Sequence, residues 1–171
     1  MSVHLYYPEA ARGFLREELE TQGAKQPDGA QYERQRQYAV GEPIDIPYLS
    51  TDYTGSGSVT WTVLPRHVNT AAYDLVGMRM TLALYIVAFT VAGTGNVWRF
   101  KIPGGFKARY TMFAHTARIV DNGTATTGVI GTTADGDYLA ISRTDSANFT
   151  ASAENSSLQV ACSFWVKSQA I

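Results

Sequence analysis

After Ser58, apolar and polar residues alternate with a period of two along most of the chain. That spacing puts every second side chain of an extended strand on one face of a sheet. Val59, Trp61 and Val63 point one way. Met78, Met80, Leu82, Leu84 and Ile86 form a long series, with Arg79, Thr81, Ala83 and Tyr85 opposite. The series resumes at Phe89 and Val91, and the change of phase predicts a bulge near Val87-Ala88. Trp98, Phe100 and Ile102 alternate with Val97, Arg99 and Lys101. Further strands are predicted over Lys107–Ala114, Thr116–Val120, Val129-Ile130, Tyr138–Arg143 and Leu158–Lys167. Gly93-Thr94-Gly95-Asn96, Pro103-Gly104-Gly105 and Asp121-Asn122-Gly123 separate them. Asn-Gly between alternating runs is a strong signal for a tight hairpin. About eight strands joined by turns, with no helices between them, predict an all-β fold. The expected architecture is an antiparallel β-sandwich of jelly-roll type.

The first 54 residues read differently. A helix is predicted from about Pro8 to Gln22: Pro8 suits the first turn, Glu9 the positive end of the helix dipole, and Gly23 the stop. Ala10, Ala11, Phe14, Leu15 and Leu19 share one face, and Arg12, Arg16, Glu17 and Glu20 the other. So short a helix needs a surface to lie on, its own β domain or a neighbouring subunit. Residues 23–43 are polar and read as a linker, with room for one short helix around Gln31–Tyr38. Ile44, Ile46 and Tyr48 alternate with Asp45 and Pro47, an edge-like extended piece, because Pro47 cannot donate to a ladder. Gly55 and Gly57 make Thr54–Ser58 a joint. Of the 15 acidic residues, 9 fall in residues 1–54, against 5 of the 14 basic ones. The division is therefore an N-terminal arm, 1–54, and a β domain, 55–171. Phe14, Leu15, Leu19, Ile44 and Ile46 are the arm's candidate anchoring residues.

Composition narrows the function more than it defines it. Charged residues make up only 17% of the chain and net charge is −1, which supplies no concentrated positive field for nucleic acid. The most apolar segment, Met80–Val91, is too short to span a bilayer as a helix, and the N-terminus lacks a signal-peptide pattern. Cys162 is the only cysteine and lies at an inward position of a predicted strand, as a buried thiol would. His4, His67 and His115 are far apart in sequence, and no zinc spacing is present. Asp135-Gly136-Asp137 resembles a fragment of a calcium loop but lacks the remaining ligands, and reads as a turn. There is no nucleophile elbow and no phosphate loop. The β domain offers Glu154 and a few turn aspartates rather than paired carboxylates. Sequons at Asn122, Asn148 and Asn155 matter only in a secretory setting. The expectation is a non-enzymatic chain without cofactor or metal.

Aromatic residues on the expected outer faces stand out. Tyr85 and Trp165 fall opposite their strands' apolar series, with Tyr110 and Tyr138 as further candidates. Tyr and Trp on a low-charge sheet face favour protein contact, because they give large contact area at low entropy cost. These four are the candidate oligomer interface.

From Ser58 onward the chain resembles small tailed-phage virion proteins with a jelly-roll domain, of the capsid-decoration, head-fibre and fibre-tip kind. The residues that carry this are Val59-Thr60-Trp61-Thr62-Val63, Tyr73–Leu82, Phe100–Phe106, Asp121-Asn122-Gly123-Thr124 and Ile141–Phe149. The resemblance covers roughly residues 58–167 and is a pattern of strands and turns. It implies a homo-oligomer, a trimer, on a virus particle assembled in the host cytoplasm, with capsid or tail proteins as partners. The arm would then grip the particle. The alternative is a receptor-binding tip whose loops Thr132–Asp137 and Ser146–Asn155 meet host glycan.

Overall fold

A computed structural model describes residues 43–167. The predicted helix over 8–22, with Phe14, Leu15 and Leu19, lies outside the described residues. The described residues all belong to one compact unit. The described residues form eleven strands: β1 (Ile44–Asp45), β2 (Tyr53–Gly55), β3 (Thr60–Thr62), β4 (Val68–Val76), β5 (Arg79–Ala92), β6 (Val97–Lys101), β7 (Lys107–Ala108), β8 (Met112–Asp121), β9 (Thr124–Thr132), β10 (Tyr138–Arg143) and β11 (Ser152–Lys167). The only helical pieces among them are 3-10 turns at Ser50–Asp52, Pro65–His67 and Pro103–Gly105. None is long and apolar enough to cross a membrane.

All pairings are antiparallel, in the order β1-β4-β5-β11-β8-β9-β10-β6-β2. β3 pairs with β5 at Thr90–Ala92, beyond the stretch that β4 occupies. A tight turn links β2 to β3 (Val59 N–H to Ser56 O, 3.2 Å), and the Trp61 indole donates to Thr54 O at 2.5 Å. One end of the strand path thus returns to the side of β5, and the sheet curls around its core. Off the path, β7 pairs with the last residues of β11 and exchanges hydrogen bonds with the Asp135-Gly136 turn.

The alternation read from the sequence is the core. Met80, Leu82, Leu84 and Ile86 of β5 face Phe164, Cys162, Val160 and Leu158 of β11, and all eight are buried. The predicted phase change is real: Ala88 has φ 51°, after which Phe89 and Val91 point inward again. β11 carries a matching irregularity at Glu154, φ 51°, with register shifts against β5 on both sides of Ser156. Around Trp98 the aromatic rings interlock. Trp61 lies parallel to it at 5.5 Å, Phe149 stacks at 3.7 Å, and Phe89 meets it edge-on at 5.0 Å. Asn122-Gly123 turns β8 into β9 with both residues at positive φ, 45° and 80°, the twist that a two-residue hairpin needs.

Three features differ from the sequence expectation. The described residues contain eleven strands rather than about eight, in part because β1 and β2 hold only two or three residues, too few to show a period. β4 escaped the pattern, because its inward Ala71 and outward Thr70 and Ala72 contrast weakly. The sheet also begins at Ile44, ahead of the joint at 54–58: Ile44, Ile46 and Tyr48 pack against the core, and Tyr53 belongs to it.

Candidate interaction surface

The outer face of β4, β5 and β11 is set out by register in four rows. Val76, Arg79 and Trp165 form the first, and Asp74, Thr81 and Ser163 the second. Ala72, Ala83 and Ala161 form the third, and Thr70, Tyr85 and Gln159 the fourth, extended by Arg118 of β8. The residues that alternate with these along each strand are apolar and fill the core, which leaves this set on the outer surface of the sheet. The two middle rows consist of short side chains, with the Thr81 and Ser163 hydroxyls 3.0 Å apart. Larger groups bound the rows at each end: Val76 is 58% exposed, Trp165 48% and Tyr85 37%. No ion pair is present for Asp74, Arg79 or Arg118 among the described residues.

Of the four aromatics expected at an interface, Tyr85 and Trp165 share this face. Their positions on β11, Gln159 and Trp165, are six residues apart, or about 20 Å. Tyr110 is exposed just past β7, near Trp165: the Arg109 N–H donates to Trp165 O at 2.8 Å, and the Arg109 guanidinium lies 5.5 Å from the Tyr110 ring centre. Tyr138 lies apart. It opens β10, three strands beyond β11 along the sheet, and is half-buried. Val76 and Phe113 were missed by sequence reasoning. Phe113, 68% exposed, covers Gly131 on β9, where an added Cβ would sit 2.2 Å from its ring. The signal for Val76 was its register against Arg79, which no one-strand pattern contains. Ile44 and Ile46, expected to anchor the arm, direct apolar surface at the chain's own core.

Polar clusters elsewhere brace loops. Asp121, buried, accepts from Arg143 Nη1 at 2.6 Å, from the Thr150 N–H at 2.9 Å and from the Thr150 hydroxyl at 3.1 Å. Arg143 also grips Asp145 through two nitrogens, at 3.0 and 2.6 Å. This pairing holds the Asp145 carboxyl below its ordinary value and raises the guanidinium. These bonds fix the segment from Thr144 to Ala151 over the core, with Phe149 as its plug. At the other bulge, Arg66 meets Glu154 at 2.5 Å. Buried His67 accepts the Leu64 N–H at Nδ1, and its Nε2 lies 3.7 Å from Glu154 Oε1. His115 bonds Ser163 O at 2.8 Å, where β8 and β11 diverge. Asp135-Gly136 is the turn expected, with Asp135 ion-paired to Lys167, which lowers the carboxyl's pKa. Burial pushes the Cys162 thiol up to about 12. No group of three or more His, Cys, Asp or Glu is placed to hold a metal among the described residues.

The chain matches no protein-family model, no curated protein and no solved structure.

Proposed function

We propose that this chain is a non-enzymatic structural protein of a phage particle. It would be a homo-oligomeric module attached as capsid decoration, cement or head fibre through the residues ahead of its sheet. In this reading the curled sheet is a sandwich of jelly-roll type, with the β4–β5–β11 side packed over the β10–β6–β2 side. The observation that carries the proposal is the outer face of β4, β5 and β11, which leaves Val76, Tyr85 and Trp165 in water. Exposed Trp and Tyr bordering short side chains favour protein contact. The resemblance of residues 58–167 to phage virion modules gives the setting and a trimer as the expected assembly.

A second reading is a fibre tip that binds host glycan. It is favoured by the Trp165 indole standing beside the Thr81–Ser163 hydroxyl pair, a platform on which a sugar ring could stack. One experiment separates the two. Purified full-length protein is added to particles lacking it and to host cells. The first reading expects saturable binding to particles alone, binding to cells alone supports the second, and binding to neither overturns both.

A further inference from the structure

We propose that the β4–β5–β11 face docks on the same face of a second copy, around a two-fold axis parallel to the strands and midway between β5 and β11. The inference rests on this face being a subunit contact, and not on the particle. It replaces the trimer that the resemblance implies with an isologous pair.

The argument is the symmetry of the rows. A two-fold axis in that position leaves each row at its own height and exchanges β5 with β11. Each residue of β5 then meets its own row partner from the other copy. The partners match in size: Arg79 with Trp165, Thr81 with Ser163, Ala83 with Ala161, and Tyr85 with Gln159. Large therefore meets large at both ends and small meets small in the middle, so the two faces match in size row by row. The Arg79 guanidinium would lie over the partner copy's indole, a cation–π contact that strengthens when water is excluded. One of the Thr81 and Ser163 hydroxyls donates to the other at 3.0 Å, and the remaining O–H would find its acceptor in the facing hydroxyl pair of the second copy. A three-fold ring, by contrast, joins two different surfaces, and does not use the match of these rows with themselves.

The available area sets the strength. Three strands at about 4.8 Å spacing and about eight residues at 3.4 Å give a footprint of roughly 400 Å² on each copy. Counting both copies, roughly 800 Å² lies below the usual size of a specific contact. The pair should therefore be reversible and concentration-dependent.

The geometry is tested with the full chain carrying single cysteines and a short bis-maleimide cross-linker; native Cys162 is buried and stays silent. Ala83→Cys, beside the axis, should link to itself. Thr70→Cys and Arg118→Cys lie at opposite ends of one row, far from the axis. Each alone should fail to link, and a mixture of the two should link. Thr81→Glu should raise the dissociation constant at least tenfold by light scattering and leave the thermal midpoint of the monomer unchanged. A chain that stays monomeric at high concentration overturns the inference. So does an oligomer in which Thr70→Cys links to itself or Ala83→Cys does not. Pairing with the expected cross-links but no particle binding leaves the inference standing and defeats the phage reading alone.

Discussion

Phe149 shows how much one side chain outside any strand can hold. It lies in a run without periodicity, Ser146-Ala147-Asn148-Phe149-Thr150, which reads in sequence as an exposed loop. In the fold its ring stacks on Trp98 at 3.7 Å and 11°, and its N–H donates to Gly95 O at 2.9 Å. Asp121 and Arg143 pin the loop on either side, so the ring cannot leave without breaking buried charge-assisted bonds. Phe149→Ala should therefore lower stability by about 3–5 kcal/mol, the usual cost of deleting a buried aromatic. Denaturant unfolding followed by tryptophan emission would measure this. The native emission should also shift to the red, because Trp98 Nε1, buried without a partner, gains access to water. A loss below about 1 kcal/mol, the range of surface substitutions, would show that the loop is merely draped over the core. The residue was not legible because a plug needs only one apolar side chain, and a period needs several.

At the scale of elements, legibility followed apolar contrast. β5 could be read almost to the residue, bulge included, because every inward position is large and most outward ones are small or polar; β11 was read over Leu158–Lys167 but not over Ser152–Ser157, where the alternation fails. β9 could be read only around Val129-Ile130, since its inward Thr126 and Gly128 carry no hydrophobic signal; the Ile119 side chain fills the space beside Gly128. β1 and β2 were assigned to an arm because two or three residues between prolines and glycines look like linker. Their burial leads to a test of the boundary. Deleting residues 1–42 leaves the strand path intact. Deleting residues 1–54 removes β1, most of β2, the Tyr48 hydroxyl bond to Val63 O at 2.6 Å, and the Tyr53 ring packed on Trp61 and Phe100. The longer deletion should be less stable than the shorter by at least about 3–5 kcal/mol from the buried ring alone, measured as the difference in denaturant midpoints at equal slope. Equal stability of the two would mean that residues 43–54 only rest on the sheet, as the arm reading expected.

For the whole molecule, strand order was beyond sequence reach, because the pairs that close the sheet lie far apart in the chain: β5 with β11, β6 with β2, β4 with β1. What could be read, the inward positions, also predicts how the closed sheet responds to alkali. Tyr53 at the end of the strand path and Cys162 in its middle both face the core. Burial pushes the Cys162 thiol from 9.0 to about 12. The Tyr53 phenol rises from 10.0 to about 12, through burial first and the neighbouring Asp52 carboxylate second. Both groups thus hold their protons more tightly folded than unfolded. Their contribution to stability is complete below pH 9 and is lost as pH rises toward 12, where the unfolded chain has released protons that the native one retains. Neither group can ionise in place without a charge entering the apolar interior, so the loss should appear as cooperative unfolding of the sheet. Thermal midpoints should stay level up to about pH 9 and then fall. Cys162→Ala should delay the onset by about one pH unit, to the phenol's range. A native thiol that reacts with maleimide near pH 9, or a midpoint unchanged between pH 9 and 12, would mean that the curled sheet admits water to its centre.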